Sequence, residues 1–295
     1  MIIMINRAIN FVKWNQIDKK RMTSKSFIFL YVVSIFSGYA ECDSSLKFIT
    51  NTPGSDGFGS QFQEIIATVI YAELHNKQFV YTPFKAMEHN YNNDADFIIK
   101  KEQFINFIDN FETIDKIARH EQDVVTSDIA YKAFFDANVV ACANSFSLKK
   151  VKKFFRENKN TNNYFNNNNL NIAIHVRRPN PHDNRILGTD TPDNFFLRIV
   201  NQLRVIYVAE NPLFHLYSQG NNENFDLFKA DDLVLHLDES IEDTFLGMVL
   251  AEVLVTGASS FSYTAGLLSD GVVYYMPFWH EPLPHWISIK TLVEG

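Results

Sequence analysis

The sequence predicts an α/β protein built from two halves, each holding a parallel β-sheet that helices cover. Short apolar segments alternate with segments of helical periodicity along most of the 295-residue chain, an order typical of parallel sheets. A glycine-rich turn joins the first strand to the first helix, as in a βαβ unit. An asparagine-rich stretch at 158–169 has no apolar periodicity, so we interpret it as the linker between the halves.

The composition is that of a globular protein with a sizeable core, because 46% of the residues are hydrophobic and 21% are charged. The length leaves room for one large domain or two of moderate size. A formal net charge of −7 disfavours general binding to nucleic-acid phosphates, so no nucleic-acid partner is expected. A local cluster of basic side chains is still compatible with a small phosphorylated ligand.

Residues 1–42 are set apart as a basic and apolar N-terminal segment. Lysines and an arginine at 19–25 precede an apolar run at 27–40, an order typical of a secretory signal or a short signal anchor. The run is shorter than the ~20 residues that a spanning helix needs, and no asparagine lies in an N-glycosylation triplet. Membrane association through 27–40 is one expectation, and a cytoplasmic location stays open beside it.

The N-terminal half, 43–160, begins with one βαβ unit. Its predicted elements are a strand at 46–50, a turn at 51–59, a helix at 60–74, a strand at 78–82 and a mainly helical stretch at 101–158. Pro83 ends the second strand, since proline cannot donate a hydrogen bond to a β-ladder.

The C-terminal half, 161–295, restarts the alternation. Strands are predicted at 170–176, 205–208, 233–237, 253–256 and 271–275, and helices at 194–203, 222–228, 242–250 and 262–268. In open parallel sheets, ligands bind at the carboxyl ends of the strands, where loops meet helix N-termini. The residues just after each strand are therefore the candidates for function.

The first candidate loop, 54–61, lies directly after a strand and before a helix. Its glycines let the backbone approach a ligand closely, and the helix N-terminus favours a negative group. No Gly-Lys-Ser/Thr sequence follows, so it is not a Walker loop. A tight turn that needs glycine only for its shape explains the same residues equally well.

The second candidate is His175-Val176-Arg177-Arg178, at the end of the strand 170–176. Two adjacent arginines at the rim of a buried sheet are costly to desolvate without an anionic partner. A guanidinium group matches phosphate oxygens in a bidentate manner, which favours a diphosphate ligand. The alternative is an interdomain salt bridge to an acidic side chain.

The third candidate loop, 257–263, again follows a strand and opens a helix. Ser259, Ser260 and Ser262 bring hydroxyls together with backbone N–H groups, as an anion or a ribose requires. Capping of the helix by serine explains one of these residues but not all three.

Together the three loops resemble the α-1,2-, α-1,6- and protein O-fucosyltransferase superfamily. That superfamily has a Gly-x-Gly-Asn-Gln-like turn, a His-x-Arg-Arg or His-x-Arg motif and a Ser-Ser/Thr-Phe-Ser stretch in this order. The matching residues here are 57–61, 175–178 and 259–262, and the resemblance covers about 46–275. Ser60 stands where the family has Asn, and Pro179-Asn180 where it often has an acidic residue.

The resemblance implies a GT-B-like pair of Rossmann-type halves and an inverting transfer of sugar, typically from GDP-fucose, to a hydroxyl of a glycan or protein. Arg177 matches the arginine that holds the donor β-phosphate, with Arg178 beside it. The other residues carried over to the donor cleft are Gly57, Gly59, Gln61, His175, Ser259, Ser260 and Ser262. The nucleotide sugar is a substrate, and no separate cofactor is implied.

No metal ion is expected to take part in the transfer. Asp94-Ala95-Asp96 fits the short Asp-x-Asp pattern of metal-dependent transferases, but it lies in an asparagine-rich stretch and is interpreted as a solvated loop. The two arginines and the helix N-terminus at 259–262 would neutralise the phosphate charge instead. Asp183 and His182 are the candidates for a general base because they closely follow the arginines.

Two other interpretations stay open. A catalytically silent nucleotide- or carbohydrate-binding module could have the same fold, and the departures from the family motifs favour it. The second is a phosphate-handling hydrolase, although the sequence has no recognisable motif for the nucleophile of such an enzyme. The acceptor cannot be deduced from the sequence, although residues 84–96, with His89 among them, are either one wall of its site or an ordinary surface loop.

Overall fold

The structure is a computed structural model that describes residues 48–117, 122–132, 138–161, 164–178, 192–277 and 279–293. All of these belong to one compact unit, Ser45–Gly295. The N-terminal segment with its apolar run at 27–40 lies outside the described residues. In the part of the chain that is described, no helix is both long enough and apolar enough to cross a bilayer.

The N-terminal sheet has three parallel strands, β1 (Phe48–Asn51), β2 (Gln78–Val80) and β3 (Gln122–Val125), in the order β2-β1-β3. Helix α1 (Phe58–Leu74) connects β1 to β2 as predicted, and it begins directly after Gly57, two residues before the predicted start at 60. Most of α1 is buried on all sides, so it is a central helix and not an amphipathic surface helix.

The remaining helices of this half are α2 (Phe97–Ile105), α3 (Ser127–Tyr131), α4 (Val139–Ala143) and α5 (Phe146–Arg156). The prediction of a mainly helical stretch at 101–158 was wrong for β3, which pairs with β1 along its whole length. Only Val125 of this short strand is buried. An exposed edge strand of four residues carries no apolar pattern from which the sequence could reveal it.

The C-terminal sheet has six parallel strands in the order β6-β5-β4-β7-β8-β9. They are β4 (Leu170–His175), β5 (Pro212–Ser218), β6 (Leu233–Leu237), β7 (Val253–Val255), β8 (Val272–Tyr275) and β9 (Ile287–Ser288). The helices are α6 (Asp193–Ile206), α7 (Ile241–Leu250), α8 (Ser260–Leu268) and α9 (Lys290–Val293). This is the doubly wound α/β topology, so the predicted fold class of parallel sheets with helices is confirmed.

The strand predicted at 205–208 was wrong. Helix α6 continues to Ile206, a 3₁₀ turn follows, and the real strand is β5. Val205 and Val208 are 71% and 74% exposed, so these β-branched residues do not mark a buried strand. Asn211, in the left-handed conformation, reverses the chain and starts β5.

Phenylalanines from both halves form one aromatic cluster between the two sheets. Phe58 of α1 contacts Phe245 of α7 edge-to-face at 5.2 Å between ring centroids, and it also contacts Phe261 of α8 at 6.3 Å. Phe104 and Phe155 join from the N-terminal side. Such aromatic pairs stabilise the fold beyond the effect of the area they bury, so the cluster joins α1 to α7 and α8.

The topology places the ligand-binding crevice of the C-terminal sheet between β4 and β7. These two strands are neighbours, yet their connections run to opposite sides of the sheet, so the loops after them diverge. The described part of the loop after β4 begins with Val176-Arg177-Arg178, and the loop after β7 is 256–259. Both are candidate loops from the sequence.

Candidate functional site

A cleft of about 870 Å³ opens at the carboxyl ends of the strands. The turn 56–60 and the loop 88–94 line it from the N-terminal half. The residues after β4, β5 and β6 and the first residues of α8 line it from the C-terminal half. Its volume lies in the range of pockets that hold a nucleotide or drug-sized ligand.

The first and third sequence motifs meet at the floor of the cleft, where α1 crosses α8. A Cβ atom added to Gly59 would lie 2.4 Å from the Cα atom of Phe261, so only glycine allows this approach. The hydroxyl of Thr264 donates a hydrogen bond of 3.0 Å to the carbonyl of Gly59. Gly59 therefore joins the two halves, and its glycine is needed for helix packing.

The second and third motifs also touch each other. A Cβ atom on Gly257 would come within 2.7 Å of the carbonyl oxygen of His175 and 3.0 Å of its Nδ1 atom. The His175 ring is buried, and Nδ1 has no hydrogen-bond partner among the described residues. Burial, with a smaller contribution from the Arg177 cation, lowers the pKa of His175 from 6.5 to about 3. His175 is therefore a neutral imidazole that lines the cleft.

Arg177 lies in the cleft beside the N-terminus of α8. Its Nη1 atom donates a hydrogen bond of 3.2 Å to the carbonyl of Ala258, which places the guanidinium next to the loop that precedes α8. A guanidinium group carries its donors in a planar fork that matches the oxygens of an anion. An anion here would meet a fixed cation and a helix N-terminus at once.

Arg178 is engaged in the C-terminal half itself. Its Nη2 atom is hydrogen-bonded to Oδ1 of Asp193, the first residue of α6, and its guanidinium lies 5.2 Å from the centroid of the Phe225 ring. The arginine also lines the cleft. Arg178 thus has an acidic partner in its own half, whereas the alternative considered for the two arginines was an interdomain salt bridge.

The three serines have different positions. Ser259 and Ser260 line the cleft, and the hydroxyl of Ser259 caps α8 by accepting a hydrogen bond from the backbone N–H of Phe261. Ser262 is fully buried, where its hydroxyl accepts from the backbone N–H of Gly257 at 3.0 Å. Ser262 therefore shapes the loop and does not line the cleft.

Gln61 also has an internal role. Its side-chain amide donates hydrogen bonds of 2.6 Å to the carbonyl of Asp56 and 2.9 Å to the carbonyl of Ala86. These bonds tie the glycine turn to the loop that continues into the cleft wall. Gly57 does line the cleft, beside Asp56 and Ser60.

His182 and Asp183, the candidates for a general base, lie outside the described residues. Asp94 of the Asp-x-Asp pattern lies at the cleft, where its carboxylate pairs with Lys100 at 2.5 Å. The hydrogen bond from Lys100 lowers the pKa of Asp94. Within the described residues, no group of three or more His, Cys, Asp or Glu side chains could hold a metal ion.

Sequence reasoning missed a buried ion pair at the cleft. Lys101 of α2, whose side chain is 3% exposed, donates a hydrogen bond of 2.5 Å to the Glu242 carboxylate of α7. The two residues come from different halves and both line the cleft. In the helical pattern of the sequence, Lys101 occupies what is predicted to be an ordinary surface position. Nothing in the neighbouring sequence distinguishes it from Lys100.

No protein-family model and no curated protein matches the chain. Solved structures that are similar to it include POFUT1 in complex with GDP, at 11% identity and a TM-score of 0.43, covering 78% of this chain and 96% of that one. A fucosyltransferase NodZ from Bradyrhizobium has 10% identity and a TM-score of 0.39, with coverage of 81% and 100%. The E. coli heptosyltransferase WaaC with ADP has 9% identity and a TM-score of 0.36, with coverage of 84% and 97%.

Fucosyltransferases are thus among the solved structures to which this chain is similar. The cleft itself offers a guanidinium group, a helix N-terminus and a neutral buried imidazole at the switch point of a doubly wound sheet.

Proposed function

We propose that this chain is a glycosyltransferase that transfers a sugar from a nucleoside diphosphate donor to a hydroxyl of a glycan or protein. The proposed donor is GDP-fucose, and the proposed sugar is fucose. The proposal includes inversion at the transferred carbon, no metal ion, and a division into an acceptor half, 43–160, and a donor half, 161–295. The observation that carries it is the position of Arg177 beside the N-terminus of α8 at the β4–β7 switch point.

The donor diphosphate is expected to lie against Arg177 and the loop 257–260. Backbone N–H groups of a helix N-terminus and a guanidinium group are the usual partners of phosphate oxygens. Ser259 and Ser260 add hydroxyls at the same place.

The arrangement favours departure of the diphosphate. When the bond between the sugar carbon and the phosphate oxygen breaks, the electron pair stays on the diphosphate, and negative charge grows there. Arg177 and the dipole of α8 are already oriented toward this charge, so little reorganisation is needed as it develops. Arg178, held by Asp193, lies at the same edge of the cleft.

The experiment is binding and hydrolysis of GDP-, UDP- and dTDP-sugars by the full chain, with Arg177→Ala beside the wild type. Removing one preorganised donor of this kind typically costs about 10²–10³-fold in rate, so that loss is expected for Arg177→Ala. Arg198→Ala is the matched control, because Arg198 is exposed on α6 and does not line the cleft.

Turnover of a nucleotide sugar that depends on Arg177 but not on Arg198 would support the proposal. Binding of a nucleotide without turnover would show a silent nucleotide-binding module instead. Absence of both binding and turnover for every donor would refute the proposed donor site. Equal rates with and without EDTA are expected, since the proposed charge neutralisation needs no metal.

A further inference from the structure

A line of hydrogen bonds runs from the buried C-terminal sheet to the wall of the cleft. In β5, Nε2 of His215 lies 3.1 Å from Oδ1 of Asn171, and Nδ1 of His215 lies 3.0 Å from Nε2 of His236 in β6. Nδ1 of His236 lies 2.7 Å from Oε1 of Glu239. Glu239 lines the cleft, so these four residues, here named the histidine chain, connect the sheet to the proposed donor site.

Neighbouring asparagines determine which atom Asn171 turns toward His215. The backbone N–H of Asn169, which can only donate, bonds to Oδ1 of Asn167 at 2.9 Å. The side-chain nitrogen of Asn167 then donates to Oδ1 of Asn171 at 2.8 Å, and that of Asn171 donates to the carbonyl of Asn169 at 3.1 Å. Oδ1 of Asn171 is therefore an acceptor, so Nε2 of His215 carries the proton of the bond between them.

The histidine chain needs one proton more than two neutral rings supply. Its three hydrogen bonds require three protons, whereas each neutral imidazole has one N–H and an ionised carboxylate has none. A third proton is therefore part of the intact chain. Burial, with a smaller effect of His236, lowers the pKa of His215 from 6.5 to about 4. The extra charge thus lies at the outer end of the chain, on His236 beside Glu239.

The groups that face His236 from neighbouring elements are phenols and one further carboxylate. The ring of Tyr217 in β5 stacks on the imidazole at 4.5 Å between centroids. The hydroxyl of Tyr164 donates to the carbonyl of Asp243 in α7. Burial raises the pKa of both tyrosines, so both are neutral. The Asp243 carboxylate accepts a hydrogen bond of 2.7 Å from the hydroxyl of Ser240.

The charge at the outer end of the chain depends on the third proton. With that proton in place, the imidazolium of His236 balances the Glu239 carboxylate. Without it, the carboxylate charge is uncompensated, and the two rings face each other with lone pairs. Other charged groups next to β6 have partners of their own: Asp232 with Arg204, Asp226 with Lys229, and Asp238 with a backbone N–H.

This end of the chain shares the cleft with Arg177. The cleft extends along the carboxyl ends of β4, β5 and β6. Arg177 follows β4 and Glu239 follows β6, two strand spacings or about 10 Å away across the sheet. A diphosphate at Arg177 would therefore lie about one Debye length from Glu239 at moderate salt, close enough for their negative charges to repel.

We propose that the histidine chain makes binding of the nucleoside diphosphate donor depend on pH through the third proton; this inference rests on the proposed donor site. With the proton in place, the charge of Glu239 is balanced and the donor binds more tightly. As the pH rises through the range in which imidazoles lose a proton, the chain becomes negative and repels the donor. By linkage, a bound donor favours the protonated chain by the same factor.

Two substitutions each fix the chain in one of its two states. In Glu239→Gln, the side-chain amide supplies the third N–H, so an uncharged chain keeps all three bonds without an extra proton. In His236→Phe, an aromatic ring still packs on Tyr217, but the Glu239 charge has no counterpart. Glu210→Gln is the matched control, because Glu210 is exposed on the 3₁₀ turn after α6 and does not line the cleft.

The experiment measures the dissociation constant of the 2-fluoro analogue of GDP-fucose for the full chain, by calorimetry at low salt between pH 6 and 8.5. The fluorine slows loss of the sugar, and the diphosphate of the analogue does not titrate in this range. Wild-type affinity is expected to fall about fourfold as the pH rises, the effect of one unit charge about 10 Å from a doubly negative diphosphate in water.

Each variant is expected to match one limit of the wild type. Glu239→Gln keeps the tighter affinity at every pH, His236→Phe has the weaker affinity at every pH, and Glu210→Gln follows the wild type. Because the two variants fix opposite limits, either one gives the decision if the other does not fold.

Two results would overturn the role of the histidine chain alone. They are a wild-type affinity that does not change with pH, and a pH dependence that persists in His236→Phe or Glu239→Gln. Failure of the proposed donor site is distinguishable, because the wild type would then bind the analogue at no pH, or Arg177→Ala would bind it equally well. That outcome refutes the inference together with the site on which it rests.

Discussion

The hydroxyl of Thr264 in α8 donates a hydrogen bond of 3.0 Å to the carbonyl of Gly59 in α1, and this bond joins residues 205 positions apart in the sequence. It lies where the glycine turn of one half and the serine stretch of the other meet beneath the cleft. The aromatic cluster lies in the same region, where Phe58 of α1 contacts Phe245 of α7 and Phe261 of α8.

Gly59→Ala tests the close approach of the two helices. The added Cβ would lie 2.4 Å from backbone of Phe261, so the helices must move apart, and overpacking of this kind costs about 1–3 kcal/mol. Urea unfolding should show the loss. Gly54→Ala is the control, because the nearest atom to its Cβ is a side-chain carbon of Gln61 at 3.4 Å. Equal stability of the two variants would contradict the packing argument.

Lys101→Met is expected to destabilise the protein by about 3 kcal/mol, because it leaves the Glu242 carboxylate in a largely buried place without its cation. Lys100→Met, one residue away, removes an ion pair whose side chains are 52% and 31% exposed, and it should change stability far less because solvent screens the pair. Denaturant unfolding of both variants measures the difference. A loss from Lys100→Met as large as that from Lys101→Met would refute the distinction.

Arg178→Ala should lower stability more than Arg177→Ala, because Arg178 pairs with Asp193 and lies over Phe225. The expected loss is about 1–3 kcal/mol, the usual range for breaking a part-buried network. Donor binding should depend mainly on Arg177. A double-mutant cycle with Asp193→Asn isolates the ion pair, and a coupling energy near zero would show that the pair adds nothing.

The pKa of His175 predicts how stability changes with pH. Burial lowers that pKa from 6.5 to about 3, so the unfolded chain binds a proton where the folded protein does not. The stability this group contributes is therefore complete above about pH 6.5 and falls as the pH is lowered toward 3. By pH 5 the loss amounts to about 2 kcal/mol at most, at 1.36 kcal/mol per pH unit.

His215 contributes in the same direction, since burial and then the nearby His236 lower its pKa to about 4. His175→Asn should remove the contribution of His175 to the loss of stability in acid and leave that of His215. Urea unfolding at pH 7 and pH 5 measures the difference. A variant that loses as much stability as the wild type over this range would show that His175 is protonated in the folded protein.

Local patterns explain which parts of the site the sequence reveals. A glycine turn, a polar run after an apolar strand and serines before a helix are each determined within about ten residues, so Gly57, Arg177 and Ser259 could be named in advance. Their position at one edge of the sheet follows from the rule for parallel strands. The exposed strand β3 and the false strand at 205–208 show where apolar patterning fails, because neither segment is buried as its residue types suggest.

The sequence by itself determined the alternation of strands and helices, the three loops and the arginine at the end of β4. Only the tertiary structure decided that the side chains of Gln61 and Ser262 form hydrogen bonds inside the protein. It also decided that Arg178 pairs with Asp193, and that Lys101 pairs with Glu242, 141 residues away. It also decided that the glycine at 57 makes room for His89. The reason is physical: periodicity and turn chemistry act between near neighbours, whereas a side chain's partner is determined by how distant segments pack.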